Sequence, residues 1–209
     1  MRNKVRILSI LFFSIFLSNC DGNKKTIKKK NVSQEKDYSI CKKYLKKYKE
    51  NFIIEENDSA LVYINKAIEC NPNNNSYKNS KVTFLITIEN YNEAIKQLDE
   101  LIDITNDPAL RLQKSVVKLK INDKTSNELL KENYKEFDEI KKPTSSNLFY
   151  KIALDNYFKG KEYALKEIEK TRFVYKDKLY EVDNFKVLDE LINTEKREVV
   201  LFKLFNIDK

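Results

Sequence analysis

The chain has 209 residues, no histidine, two glycines and a formal charge of +8. Without histidine there can be no Ser-His or Cys-His nucleophile pair, no imidazole base and no histidine-ligated zinc, and two isolated glycines, Gly22 and Gly160, cannot build a phosphate-cradling loop. The charge does not point to nucleic acid: +3 lies in residues 1–19 and +3 in residues 20–37, which leaves +2 on the body, whereas phosphate binding needs a basic face on the folded part.

In chain order, Met1 to Arg6 carries three cations and no acid, and leads into an eleven-residue apolar run, Ile7 to Leu17. That is the layout of an export signal, and the run is shorter than the roughly 20 apolar residues that cross a bilayer. It ends in Leu17-Ser18-Asn19-Cys20, which resembles the bacterial lipobox, with Asn19 where Gly, Ala or Ser is usual. The resemblance implies that residues 1–19 are removed and that Cys20 carries the lipid, palmitate included. The protein is then expected in the bacterial cell envelope, lipid-anchored to a membrane, facing the periplasm or on the outer membrane. Ordinary secretion past an incidental cysteine and an uncleaved anchor are the alternatives. Residues 20–37 hold six lysines against three acids and only Ile27 and Val32 as aliphatics, the composition of a disordered stalk.

Residues 38–209 are long enough for one domain with a core. Apolar residues recur at helical intervals, and Pro72, Pro108 and Pro143, each following such a stretch and expected to stop its helix, fall 36 and 35 residues apart. A shift of 34 pairs Asn57 with Tyr91, Ala60 with Ala94, Leu61 with Ile95, Ile64 with Leu98, Ala67 with Leu101 and Ile68 with Ile102. Val82 and Leu85 map onto Val116 and Leu119 at the same shift. Leu130, Tyr134 and Phe137 match Ala94, Leu98 and Leu101 only at 36, which predicts two extra residues in the turn near Asp123 to Ser126. Asp58 to Asn74, with its Pro72-Asn73-Asn74 ending, resembles the second helix of a tetratricopeptide repeat, and Tyr91 to Ile95 repeats the start of that helix. The expected fold is therefore all-α: a TPR-like solenoid of antiparallel helix hairpins over about residues 38–142, with an unrelated helical bundle as the alternative.

A fourth hairpin is expected around Gly160, from Leu148 to Phe158 and from Tyr163 to Thr171. Residues 173–183 are too irregular to assign, and two last helices, about 184–193 and 195–206, are expected to cap the stack. On this hairpin assignment Cys41 opens the first helix and Cys70 closes its antiparallel partner, so the two are expected to meet in a disulfide closing a loop of roughly 30 residues, worth about 3 kcal/mol. Two buried thiols are the alternative.

The resemblance also implies a concave face lined by first helices that holds a protein or peptide. By matching position the lining comprises Lys42, Leu45, Lys49 and Phe52, then Asn79, Thr83 and Ile86, then Gln113, Val117 and Lys120, a mixed and weakly basic set. The carboxylate clamp of chaperone-binding family members is not expected, since Leu45 and Lys49 replace its key residues. The leading function is a membrane-tethered scaffold or adaptor for a protein partner of unknown identity; a lipid-anchored immunity protein that blocks a toxin is the alternative. An enzyme is not expected, because the carboxylates sit among lysines at solvated helix spacings such as Glu128 and Glu132. No cofactor, metal, nucleic acid or small-molecule substrate is expected.

Overall fold

The computed structural model describes residues 32–207. The expected leader and Cys20 lie outside them, as does most of the expected stalk. The described residues form ten helices: α1 (Val32–Ile53), α2 (Asn57–Cys70), α3 (Asn75–Thr87), α4 (Tyr91–Thr105), α5 (Pro108–Lys120), α6 (Ser126–Glu139), α7 (Ser145–Lys159), α8 (Lys161–Val174), α9 (Leu179–Thr194) and α10 (Arg197–Leu204). Consecutive helices pair as hairpins, α1 with α2, α3 with α4, α5 with α6 and α7 with α8, and each hairpin packs on the next. The protein is an all-α solenoid of antiparallel helix hairpins with helices added at its C-terminal end.

The period of 34 is visible in the backbone. α2 and α4 start 34 residues apart and bury Ala60, Ile64 and Ala67 in the one and Ala94, Leu98 and Leu101 in the other, the stripe of i, i+4 and i+7 that an amphipathic helix turns to its partner. The first helices close alike: Glu55, Glu89 and Asn122 have positive φ of 63°, 61° and 57°. In each case the next N–H returns to a carbonyl five residues back, Glu56 to Asn51, Asn90 to Leu85 and Asp123 to Lys118. This left-handed closure satisfies carbonyls that the helix end would otherwise leave bare.

The first two of these turns span three residues, 54–56 and 88–90, and the third spans five, 121–125, which accounts for the two-residue slip of the third copy. There the buried set is Leu130, Asn133 and Phe137, and Tyr134 instead reaches out to the next hairpin. The carboxamide of Asn133 is satisfied inside the hairpin by donating to Ser115 Oγ at 2.6 Å and to the Leu129 carbonyl at 2.7 Å. In the fourth hairpin one residue, Gly160, joins α7 to α8. Its φ of 94° and ψ of 170° lie in a region essentially confined to glycine.

Three boundaries differ from the sequence reading. α1 begins at Val32, within the stretch read as stalk, so Cys41 lies well inside the helix and does not open it. α9 begins at Leu179, taking in residues that alternate too irregularly to assign by periodicity. Pro108 does not stop a helix but stands first in α5, where its missing N–H is not needed; Asn106, at φ 52°, ends α4, and Asp107 caps α5 by accepting from the Ala109 N–H.

Aromatic rings join the hairpins. Tyr48 and Phe52 of α1 pack on Phe84 of α3 with centroids 6.1 and 5.8 Å away, and the Tyr48 hydroxyl donates to the Ser80 carbonyl at 3.1 Å. Between the third and fourth hairpins Phe137 meets Tyr150 at 5.9 Å. Burial pushes the Tyr48 and Tyr150 phenols up from the ordinary 10.0, with the Asp107 charge adding to the effect at Tyr150.

Two predictions follow from the backbone and the buried phenols. Gly160→Ala is expected to cost about 1–3 kcal/mol in denaturant unfolding although no atom crowds the new methyl, whereas Glu89→Gly is expected to stabilise by roughly 0.5 kcal/mol. The folded state holds the Tyr48 and Tyr150 protons more tightly than the unfolded chain. Their contribution is therefore complete below pH 10 and is lost as pH rises beyond it. A Tyr48→Phe, Tyr150→Phe variant should lose about 1 kcal/mol at neutral pH with the Ser80 bond, yet show a shallower alkaline loss of stability when unfolding is followed from pH 7 to 12.

Candidate functional site

The first helices of the hairpins face one cleft of about 350 Å³ between α1, α3 and α5. Of the ten residues expected to line the concave face, the structure brings five together there: Leu45 and Lys49 from α1, Asn79 and Thr83 from α3, and Gln113 from α5. The α3 residues are held in register by Asn74, whose side chain accepts from the N–H groups of Ser76 and Tyr77 and so starts the helix beside the cleft.

The other five lie elsewhere, for identifiable reasons. Ile86 and Val117 are core residues, 1% and 0% exposed. An inner first helix is flanked by its own partner and by neighbouring hairpins, so only a narrow strip stays open; Phe84, Leu85 and Ile86 are buried in succession. Phe52 is spent on the ring cluster with Tyr48 and Phe84. The Lys120 ammonium sits 5.2 Å over the Phe202 ring. Lys42 is exposed on α1 outside the cleft.

The sequence reading missed the wall made by the C-terminus. α9 covers α7 and α8 as a cap should, but α10 packs on α5 and α7, the first helices of two hairpins, and so lies on the concave side. Its end repeats the left-handed closure, with Asn206 at φ 55° and the Ile207 N–H returning to the Phe202 carbonyl at 2.9 Å. That turn presses Phe205 flat on Tyr150 at 5.7 Å and buries Ile207. Leu204, Phe205 and Asn206 thereby enclose one side of the cleft. The available signal was an apolar tail, Phe205 and Ile207, running past the last helical turn and needing a surface to cover.

Electrostatically the cleft is close to neutral rather than basic. Lys49 and Asp107 are its charged side chains, and the Asp107 carboxylate already accepts the Ala109 N–H at 2.9 Å. The Ser80 and Thr83 hydroxyls donate to carbonyls of their own helix, to Ser76 at 2.9 Å and Asn79 at 3.1 Å. The carboxamides of Asn75, Asn79 and Gln113, each both donor and acceptor, stand over an apolar floor of Leu45, Leu101, Leu110 and Tyr150. Such a surface can bind; it offers no paired carboxylates and no activated nucleophile. Among the described residues no group of histidine, cysteine, aspartate or glutamate could hold a metal ion, and no helix is long and apolar enough to cross a membrane.

At the start of the solenoid the sulfurs of Cys41 and Cys70 are at disulfide distance, with Cα atoms 5.5 Å apart and a sequence separation of 29. The pair ties the middle of α1 to the end of α2 beside the cleft wall that carries Leu45 and Lys49. Comparison with family models, curated proteins and solved structures gives no match.

Reduction is expected to lower stability by about 3 kcal/mol, the amount by which cross-linking a loop of this length restricts the unfolded chain. Unfolding with and without reductant measures it. A Cys41→Ser, Cys70→Ser variant should be as unstable as the reduced protein and indifferent to reductant.

Proposed function

We propose that this chain is a lipid-anchored protein of the bacterial cell envelope, built from tetratricopeptide-type repeats, that acts as an adaptor by holding an extended segment of a partner protein in the cleft between α1, α3 and α5. The observation that carries the reading is the cleft itself: three carboxamides, two from α3 and one from α5, over an apolar floor. Carboxamides can pair with the N–H and C=O groups of an extended backbone, while the apolar floor takes alternate side chains. A near-neutral cleft suits a segment chosen by shape and apolar side chains rather than by charge.

The remaining parts rest on the sequence and on the cysteine pair. A disulfide between Cys41 and Cys70 is durable in an oxidising compartment and rare in a reducing one. That agrees with export directed by the leader and with a lipid on Cys20, for which Leu17-Ser18-Asn19-Cys20 supplies the attachment sequence. Three acyl chains at about 0.8 kcal/mol per buried CH₂ would hold the domain at a membrane durably.

Two measurements test the proposal. Labelled palmitate should be incorporated into the wild-type chain in cells and not into a Cys20→Ala variant. A photo-crosslinking residue at Asn79 or Thr83 should give discrete adducts with a partner, and one at the exposed Lys96 on α4 should give none. Equal adduct patterns from cleft and outer positions would remove the cleft from the reading, and unlabelled wild-type protein would remove the anchor.

A further inference from the structure

A second cavity, of about 370 Å³, lies where the starts of two helices converge, α8 after Gly160 and α10 after Lys196. It is separate from the cleft and independent of the function proposed for it. The first N–H groups of any helix have no intrahelical acceptor and carry a partial positive charge, which makes such a start a natural seat for an anion. Four helix starts are closed by a side chain, those at Asn74, Asn90, Asp107 and Thr144, while those after Glu56, Thr125 and Lys178 are not. Neither Gly160 nor Lys196 supplies one.

The side chains around the cavity add to this. Lys161, Lys196 and Arg197 line it, and none of the three forms an ion pair among the described residues. Lys161 and Arg197 reach only backbone carbonyls, those of Asn193 at 3.4 Å and Tyr157 at 3.3 Å. Of the two acids on the rim, Glu195 is taken up by Lys203, which leaves Glu198 as the opposing charge.

The independent observation is Asn156. It lines the same cavity, is 2% exposed, and its Nδ2 is buried without a hydrogen-bond partner. A buried amide donor left unpaired costs about 1–3 kcal/mol, so its retention here calls for an acceptor. α7 sets Asn156 one turn before Gly160, beneath the start of α8.

We propose that this cavity is a binding site for a small oxyanion, a carboxylate or a phosphate. Its oxygens accept from the first-turn N–H groups of α8 and α10 and from the Asn156 carboxamide, with Lys161 and Arg197 supplying counter-charge. Gly160 is part of the design: its glycine-only conformation joins α7 to α8 in one residue and so keeps Asn156 and the start of α8 close together.

The test is an amide NMR titration of the full chain with sodium acetate and, separately, with sodium phosphate, each against sodium chloride at matched ionic strength. Saturable shifts are expected at the backbone amides of Lys161, Glu162, Arg197 and Glu198, with a shift of the Asn156 side-chain NH₂, and the salt that saturates at the lower concentration identifies the anion. Asn156→Leu should weaken binding at least fivefold, and the exposed Arg197→Gln, which leaves the core untouched, about threefold or more. If neither salt saturates these amides beyond the chloride control, or if Arg197→Gln and a folded Asn156→Leu bind as the wild type does, the site is overturned.

Discussion

The closeness of paired helices at one position governs this fold. In the first, second and fourth hairpins that position is an alanine, Ala60, Ala94 and Ala164, each fully buried and each fourth in its helix. A methyl group lets the two backbones approach so that the flanking larger residues interlock, and a tight turn of one to three residues suffices to reverse the chain. The third hairpin has Leu130 at the matching place of the repeat, fifth in its helix. A leucine needs several more buried carbon atoms' worth of room, and this is the hairpin with the five-residue turn and with a polar pair, Asn133 and Ser115, in its interior. The longer turn and the larger residue belong together, and the irregularity in the period of 34 has a packing cause.

Because each hairpin buries only one stripe on itself, the rest of its apolar surface must be covered by a neighbour, and the joints between hairpins are where the chemistry varies. The first joint is aromatic, through Tyr48, Phe52 and Phe84. The last is partly ionic. Asp155 is fully buried on α7, with the Lys151 and Lys159 ammonium groups at 3.3 and 3.2 Å and the Tyr134 hydroxyl donating to it from α6. Burial of a lone carboxylate would be prohibitive; two cations and a phenol make it tolerable, and the phenol fixes the angle at which the fourth hairpin meets the third. Tyr134 is thus withdrawn from the stripe of its own hairpin to serve the joint, and Asn133 takes the vacated place.

These details decide how far the sequence could be read. The stripes Ala60/Ile64/Ala67 and Ala94/Leu98/Leu101 were legible because a two-helix contact leaves a strict i, i+4, i+7 trace, and the extra turn residues showed as a slip from 34 to 36. The cysteine pair was legible because antiparallel hairpins bring the two helix segments side by side. Ile86 and Val117 were not, since a repeat alignment gives the phase of a residue but not how many neighbours crowd around its helix. The course of α10 was illegible for a related reason: its apolar residues announce burial without naming the surface, and the concave side competed with the end of the stack. Half of the expected lining residues therefore fall in the cleft, and the wall that completes it was not visible in advance.

That wall also connects the two candidate sites. α10 has eight residues, about 12 Å of helix. Its start with the preceding Lys196, as far as Glu198, lines the oxyanion cavity, and its last residue Leu204 with the following Phe205 lines the cleft. It is held along its length by packing on α5, α7 and α9 rather than by a side-chain cap at its start. An anion seated at the start of α10 satisfies N–H groups that nothing else caps and so favours the position in which Phe205 lies flat on Tyr150. A segment entering the cleft meets the same ring from the other end. Both candidate sites thus bear on a single element, placed between them by the course of the C-terminal chain.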